Sequence, residues 1–269
     1  TETTPDDLRG LLDEIERVLY EGDLVKLVTR AQNCLDGLRM LRFVRERGGG
    51  MIGFCSGDVG SFTRVLAPIF GSPFTYAAPA IMPGMPEPPA TAPGQIRVND
   101  LRAQLPPTGL SEATAIFAVV GNPAKHSWSP RVQGMALKAA RMDAVYVALE
   151  PTDFGQFLEL AKDENFRGFS VTAPFKAEAW KRAARSDGQS DATGAVNTLV
   201  REGDRWRGTN TDVGAVGDVL ERAFRLHAQT PGRPVSIAAA HTLVLGTGGG
   251  ARAALQASMK AMGGENVKT

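Results

Sequence analysis

Short apolar segments alternate with longer amphipathic segments along most of this 269-residue chain, and this alternation limits the fold more than any other feature. In the first part of the chain, the segments with the length and apolar content of strands are residues 24–28, 51–55 and 74–78. Apolar side chains at helical spacing predict helices at residues 5–20, 31–47 and 61–70, and from residue 98. Strands that alternate with helices indicate parallel β/α units, so we predict an α/β fold.

A second alternation follows residues 105–113, which contain prolines and a glycine and are typical of a linker. We expect strands at 115–120, 144–149, 167–171 and 196–201, and helices at 129–141, 153–163, 175–185 and 212–226. The turn signal Glu202-Gly203-Asp204 predicts a hairpin between residues 198–201 and 205–208. After a loop at 227–239, a strand at 242–245 leads into a glycine-rich turn and a further helix, and the next strand should begin where the sequence stops.

Composition excludes several classes of partner. A net charge of +1 creates no field that would attract nucleic acid. No apolar stretch approaches the roughly 18–20 residues that a bilayer-spanning helix needs, so we expect no membrane partner. Cys34 and Cys55 are too few for a disulfide framework and fit reduced core thiols, which indicates the cytoplasm, or a plastid in a plant. We predict no metal site.

Lys26 lies in the middle of the first predicted strand, within GDLVKLV. An ammonium among apolar neighbours is costly unless it is paired or deprotonated, and a deprotonated lysine can form an imine with a carbonyl. The alternative is that Lys26 extends its ammonium into solvent from a strand end. Position alone leaves both interpretations open.

Three segments of the first part resemble the type I 3-dehydroquinate dehydratase family: DLVKLV (23–28), SFTRVLAPIFGSPFT (61–75) and TAPGQI (91–96). The resemblance implies that residues 1–104 are the last three strands of a (β/α)8 barrel. It also implies Lys26 as the Schiff-base lysine at a strand's C-terminal end.

Three further residues receive binding roles from this resemblance. Arg64 is expected to hold the substrate carboxylate, and Thr91 and Gln95 to donate hydrogen bonds while their loop closes over the site. Alternatively, Arg64 is a solvated helix charge, and the two loop residues are structural.

The first part departs from the family in one respect. The family's general base is a histidine on an earlier strand, whereas His126, His227 and His241 all lie outside this region. Five barrel strands are also missing, and three strands cannot close a barrel. We therefore expect residues 1–104 to have no dehydratase activity alone.

Four later segments, in order, resemble shikimate dehydrogenase: VVGNPAKHSWSP (119–130), FSVTAPFK (169–176), GAVNTLV (194–200) and GTNTD (208–212). Each is a strand end or loop rich in small polar residues, which suits a polyhydroxy acid. The resemblance implies that Ser127 and Ser129 bind the substrate carboxylate, with help from the helix N-terminus that follows. It implies that Thr172, Asn197 and Asp212 bind the ring hydroxyls.

The catalytic role in this resemblance falls to Lys176, paired with Asp212. As 3-dehydroshikimate is reduced, negative charge develops on its C3 oxygen, and a neighbouring lysine stabilises that charge and can pass a proton. Alternatively, Lys176 is a solvated lysine and Asp212 is a helix cap. Ser170 and Val213 stand where the family more often has asparagine and glycine.

The glycine-rich turn is Gly246-Thr247-Gly248-Gly249-Gly250-Ala251-Arg252, and Gly246, Gly248 and Ala251 match the dinucleotide-binding fingerprint. The resemblance implies NADP as the cofactor, although the residues that select it over NAD follow the next strand, beyond this sequence. We expect all seven residues to contribute to cofactor binding.

Together these patterns predict four regions: a barrel part at 1–104, a linker at 105–113, a shikimate dehydrogenase substrate domain at 114–212 and the start of a Rossmann NADP-binding domain at 213–269. We expect an internal part of a two-enzyme fusion that makes 3-dehydroshikimate from 3-dehydroquinate and reduces it to shikimate. The alternatives are a quinate dehydrogenase of the same family and a fragment that binds shikimate-like acids without turnover. The only expected partners are these small molecules.

Overall fold

A computed structural model of the chain describes residues 3–162, 165–228, 236–263 and 266–268, so most of the predicted loop at 227–239 lies outside the described residues. The chain divides into two compact units, Thr1–Arg167 and Gly168–Thr269. Both are built from strands and helices in alternation, which confirms the predicted α/β class.

The first unit opens with a β/α/β segment. Its elements are α1 (Leu8–Glu16), β1 (Val25–Arg30), α2 (Cys34–Arg47) and β2 (Met51–Ser56). β1 and β2 pair in parallel, with Val25 opposite Met51. Met40 and Val44 of α2 share an apolar cluster with Leu27 and Met51 of the strands. The segment therefore has the parallel β/α geometry that the sequence pattern predicts.

The predicted third strand at residues 74–78 is wrong. After α3 (Phe62–Leu66) and a 3-10 turn at Ala67–Phe70, the chain is extended, but only Ala78 forms a bridge, to Arg97, before α4 (Val98–Gln104). Prolines at 73 and 79 flank the segment and lack the N–H that a ladder uses. β1 and β2 form a two-stranded sheet, and the described part of the chain contains no closed barrel.

A second parallel pair completes the first unit. Its elements are β3 (Ala115–Val120), α5 (Ser129–Ala139), β4 (Ala144–Leu149) and α6 (Phe154–Lys162). β3 and β4 pair with Ala115 opposite Ala144, and both strands have the predicted bounds. Cys34 and Cys55 are buried free thiols, and burial raises the pKa of each, as expected for core cysteines.

The boundary between the units falls within β5 (Phe166–Val171), and the second unit takes this strand from Gly168 onward. The elements that follow are α7 (Lys176–Arg182), β6 (Arg185–Ser186), α8 (Gly188–Thr193), β7 (Thr198–Glu202) and β8 (Arg205–Thr209). In this unit the strand order is β5-β7-β8-β6. β7 and β8 form the predicted antiparallel hairpin around Gly203, whose φ of 62° favours glycine. β6 and α8 were not predicted, because elements this short leave no periodic signal.

The last part of the chain contains α9 (Asp212–Ala228), β9 (Thr242–Leu243), α10 (Gly249–Met262) and β10 (Val267–Lys268). β9 is two residues shorter than predicted, and it pairs in parallel with β10, where the next strand was expected. Val213 of α9 is buried against Ala253 and Ala257 of α10. Within the described ranges, every helix is too short or too polar to cross a membrane.

Candidate active site

A lysine and a carboxylate meet where two helices of the second unit begin. Lys176 is the first residue of α7, and Asp212 is the first residue of α9. The Lys176 Nζ donates a hydrogen bond to the Asp212 Oδ2 at 2.6 Å, which is the pairing expected from the sequence. Their side chains are 20% and 31% exposed, so the pair is partly shielded from water and still open to a small molecule.

Asn197 holds the other oxygen of this carboxylate. Its Nδ2 donates to the Asp212 Oδ1 at 2.7 Å, while its Oδ1 accepts from the Thr198 hydroxyl at 2.9 Å and the Thr211 N–H at 3.1 Å. Asp212 also lies at a helix N-terminus, where the dipole stabilises negative charge. The carboxylate that faces Lys176 is therefore fixed in position on both sides.

Asn210 supports this array and was missed by the sequence analysis. It is only 1% exposed, and its Nδ2 donates to the Thr193 hydroxyl and the Ala195 carbonyl, both at 3.0 Å. Its Oδ1 accepts from the Asp212 N–H at 3.1 Å. The signal was the unbroken polar run GTNTD after a strand, since a buried amide there needs partners.

Thr172 is half-buried at the end of β5, just before the turn that leads to Lys176. Its carbonyl accepts from the Phe175 N–H at 3.0 Å and so closes that turn. Thr172 and Lys176 therefore flank one short turn of the second unit.

In the first unit, Ser127 and Ser129 lie side by side at the start of α5. The Ser127 hydroxyl donates to the Ser129 hydroxyl at 3.0 Å, and the Ser129 N–H donates to the Ser127 Oγ at 3.1 Å. Two adjacent hydroxyls at the N-terminus of an 11-residue helix are suited to an anion.

Glu150 anchors the loop that carries these serines, and sequence reasoning did not single it out. Its Oε1 accepts hydrogen bonds from two successive backbone N–H groups, those of Ala124 and, at 2.6 Å, Lys125. Glu150 and Ser127 both line a cavity of about 560 Å³, together with Gln95 and His126. The exposed His126 belongs to this loop.

Lys26 is exposed, so its ammonium is not enclosed by the apolar neighbours that the first of the two interpretations assumed. Side chains alternate between the faces of a strand, and Val25 and Leu27 take the buried face of β1. The Lys26 Nζ lies 4.2 Å from the centre of the Tyr76 ring, in cation–π geometry. An aromatic ring therefore restrains the ammonium.

Arg64 is buried, with 3% exposure, so it is not the solvated helix charge that the alternative required. Its guanidinium carbon lies 4.2 Å from the centre of the Phe54 ring, and burial lowers the pKa of the guanidinium. The buried Nε has no hydrogen-bond partner among the described residues. A buried unpaired donor of this kind is suited to a carboxylate ligand.

Thr91 and Gln95 are bonded to each other. The Gln95 Oε1 accepts from the Thr91 N–H at 2.9 Å, the Thr91 hydroxyl at 2.8 Å and the Ala92 N–H at 3.2 Å. These contacts lie within the loop, as expected from the alternative in which the two residues have a structural role. Gly94 must be glycine, because its φ is 73° and a Cβ would clash with the Gly57 carbonyl oxygen.

The glycine-rich turn leaves backbone exposed at the start of α10. Gly246 has a φ of 132°, and Gly248 is the N-cap of this 14-residue helix. A Cβ added at Gly248 or Gly250 would meet nothing within 4 Å, so a pyrophosphate can approach these N–H groups. These residues fit a dinucleotide.

The other members of the turn are arranged differently. Thr247 is exposed and Ala251 half-buried, whereas an Arg252 guanidinium nitrogen lies 3.2 Å from where a Gly194 Cβ would be. The Arg252 Nε is buried without a hydrogen-bond partner within the described ranges. Arg252 therefore packs inside the unit through its side chain.

Comparison with known proteins assigns both parts of the chain to families. Residues 1–110 match type I 3-dehydroquinase, and residues 119–199 match the shikimate dehydrogenase substrate binding domain. Two regions of the chain are therefore similar to the two domains that bifunctional proteins join, which confirms the predicted resemblance.

Individual relatives include a bifunctional protein and a single shikimate dehydrogenase. The chain is 30% identical over 254 residues to the chloroplastic bifunctional 3-dehydroquinate dehydratase/shikimate dehydrogenase of Arabidopsis thaliana, covering 92% of this chain and 41% of the relative. It is 26% identical over 265 residues to the shikimate biosynthesis protein AroDE of Chlamydia pneumoniae, covering 97% and 51%. A shikimate dehydrogenase (NADP(+)) of Syntrophobacter fumaroxidans is 40% identical over 141 residues, covering 52% and 45%. The chain thus spans about half or less of these relatives' lengths.

Proposed function

We propose that the protein containing this chain dehydrates 3-dehydroquinate to 3-dehydroshikimate and reduces that product to shikimate with NADPH. The observation that carries the proposal is the hydrogen-bonded array of Lys176, Asp212 and Asn197. Its support is the match of the two regions to the two families and the similarity to relatives whose names include both activities and NADP.

The array is suited to reduction of a ketone. NADPH, held by the glycine-rich turn at residues 246–252, would supply a hydride to the substrate C3 carbon, and negative charge would develop on the C3 oxygen. The Lys176 ammonium stabilises that charge and gives up a proton, so the carbonyl becomes an alcohol. Asp212, fixed by Asn197, keeps the ammonium in place, and we assign the ring hydroxyls to Thr172, Asn197 and Asp212.

We assign the substrate carboxylate of this second reaction to Ser127 and Ser129. Their adjacent hydroxyls and the α5 N-terminus offer donors to an anion without a full positive charge. Glu150 holds the loop backbone, so the hydroxyls are positioned before the ligand binds.

The first reaction is assigned to Lys26 and Arg64. Lys26, once deprotonated, attacks the substrate carbonyl and releases water; the resulting iminium acidifies the adjacent C–H, so a second water leaves, and hydrolysis returns the lysine. The buried, unpaired Arg64 Nε is the donor that we assign to the substrate carboxylate. Thr91 and Gln95 are proposed to exchange their mutual bonds for bonds to substrate when the loop closes.

The finer architecture is part of this proposal. We infer that residues 1–104 are the C-terminal part of a (β/α)8 barrel, that 105–113 link it to a substrate domain at 114–212, and that 213–269 begin a Rossmann domain. The parallel β1–β2 and β9–β10 pairs support these assignments. The cytoplasm, or a plastid in a plant, is the proposed location.

The test is NADPH oxidation by the full-length protein with 3-dehydroshikimate. Lys176→Ala should lower kcat by about 100-fold or more, since general acid catalysis contributes that much. Near-normal kcat in Lys176→Ala would contradict the role of the lysine. Faster oxidation of quinate than of shikimate would favour the quinate dehydrogenase alternative, and binding of shikimate without turnover would favour the non-catalytic one.

A separate experiment tests the imine. Borohydride added during turnover of 3-dehydroquinate should attach the reduced ligand to Lys26 and inactivate the dehydratase. Recovery of an unlabelled Lys26 peptide from protein that turned over its substrate would exclude this role.

A further inference from the structure

Gly249 is the member of the glycine-rich turn whose identity the dinucleotide fingerprint does not explain. The fingerprint specifies Gly246, Gly248 and Ala251, and Gly249 occupies one of its variable positions. Gly249 is also absent from the glycines with positive φ, so its backbone does not demand glycine. As the first residue of α10, it would be replaced at no conformational cost by alanine, a better helix former.

The surroundings of Gly249 give a different reason for glycine. A Cβ at this position would lie 3.0 Å from the Lys176 Cδ, 3.1 Å from the Lys176 Cβ and 3.3 Å from the Ala195 Cβ. The Lys176 Cβ is fixed to the backbone and cannot rotate away. That backbone is itself held, because the Lys176 carbonyl accepts from the Val196 N–H at 2.9 Å.

We propose that Gly249 is a positioning residue for Lys176. The absence of a side chain lets the first turn of α10 lie against the aliphatic stem of the lysine. This contact restricts the rotamers of a long flexible side chain and holds the Nζ beside Asp212. The inference rests on the proposed catalytic role of Lys176, and it links the nucleotide turn directly to the group that donates the proton.

The test compares Gly249→Ala with Gly217→Ala in the full-length protein. Each variant adds one methyl group to a helix, but Gly217 lies in α9 outside the assigned sites, and a Cβ there meets nothing within 4 Å. We expect Gly249→Ala to lower kcat for 3-dehydroshikimate reduction by about 10-fold and to alter the pH profile of kcat. The KM of Gly249→Ala for NADPH should stay within about twofold of the wild-type value, and Gly217→Ala should have near wild-type kcat.

A rescue variant distinguishes displacement of the Lys176 side chain from a general loss of folding. Ala195→Gly removes the 3.3 Å contact, so the new methyl group in Gly249→Ala can shift away from the lysine. The double variant should regain part of the lost kcat, and thermal unfolding should show all variants folded.

Three results would overturn the inference: equal kinetics of Gly249→Ala and Gly217→Ala, a change confined to the KM for NADPH, or no rescue by Ala195→Gly. Failure of the proposed function has a different signature, which is normal kcat in Lys176→Ala.

Discussion

Each of the two oxygens of the Asp212 carboxylate accepts a hydrogen bond from a different side chain of the second unit. Oδ2 receives the Lys176 ammonium and Oδ1 receives the Asn197 amide. Removing the amide leaves the carboxylate free to rotate, and the ammonium moves with it. In the proposed mechanism, Asn197 therefore acts on the Lys176 ammonium through Asp212, in addition to its proposed contact with substrate.

Asn197→Ala should accordingly reduce kcat/KM for 3-dehydroshikimate by about 10-fold or more, since a hydrogen bond to a charged group contributes about 1.5–3 kcal/mol. Steady-state kinetics with NADPH in excess measure this. The matched comparison is Thr198→Ala, which loses only the outer bond to Asn197 and should therefore have a smaller effect on kcat/KM. Equal losses in the two variants would argue against the role of the amide.

Arg64 is buried and its Nε has no hydrogen-bond partner among the described residues. Because a buried unpaired donor lowers stability, this arrangement is better explained by ligand binding than by folding. Arg64→Met should change the free energy of unfolding by less than about 1.5 kcal/mol, because it fills similar volume and removes a buried cation. It should at the same time abolish saturation by 3-dehydroquinate. Urea unfolding and dehydratase kinetics measure the two effects, and a large loss of stability with normal KM would contradict the assignment.

At the scale of elements, the contact between α9 and α10 explains why valine stands at position 213. Val213 is 2% exposed and packs on Ala253 and Ala257, so it joins the helix that carries Asp212 to the helix that begins at the glycine turn. Val213→Gly should destabilise the protein by about 2–3 kcal/mol, from lost burial and lower helix propensity. Val219→Gly, at a position with 67% exposure in the same helix, should cost about 1 kcal/mol or less in urea unfolding.

Strands β6, β7 and β8 carry an ion pair network centred on Glu202. Arg185 and Arg207 donate to Glu202 and hold the pKa of its carboxyl below the ordinary value. A depressed folded-state pKa adds stability above the unfolded pKa of about 4.3, and this stability is lost as the pH falls through the folded value. The Tm difference between wild type and Glu202→Gln should therefore be present at pH 7 and shrink toward pH 3. The same substitution at the exposed Glu221 serves as control; a constant difference across this range would refute the expectation.

The elements show what sequence patterns can and cannot predict. β3 and β4 were predicted to the residue because each is a run of six apolar residues between clear turn signals. Residues 74–78 are also largely apolar and yet form no strand, because the prolines at 73 and 79 lack the N–H that a ladder uses and only Ala78 forms a bridge. Lys176, Asp212 and Asn197 were found from local motifs, whereas Asn210 and Glu150 depend on what folds around them.

For the protein as a whole, the proposed function places two consecutive reactions in one polypeptide. Full-length protein supplied with 3-dehydroquinate and NADPH should release shikimate. Lys176→Ala should instead accumulate 3-dehydroshikimate, while Lys26→Ala should consume NADPH only when 3-dehydroshikimate is added. Product analysis by chromatography distinguishes these outcomes, and a Lys26→Ala protein that still converts 3-dehydroquinate would contradict the division of labour.

Because the Glu150 side chain holds the serine loop, the ligand preference of this loop and the stability of the core depend on different residues. The backbone N–H groups of Ala124 and Lys125 are held by the Glu150 side chain, which lies just after β4, so exchange of this one residue can shift the proposed anion-binding hydroxyls without changing a residue of the buried strand. Ligand preference and core stability can therefore diverge independently among descendants of this sequence.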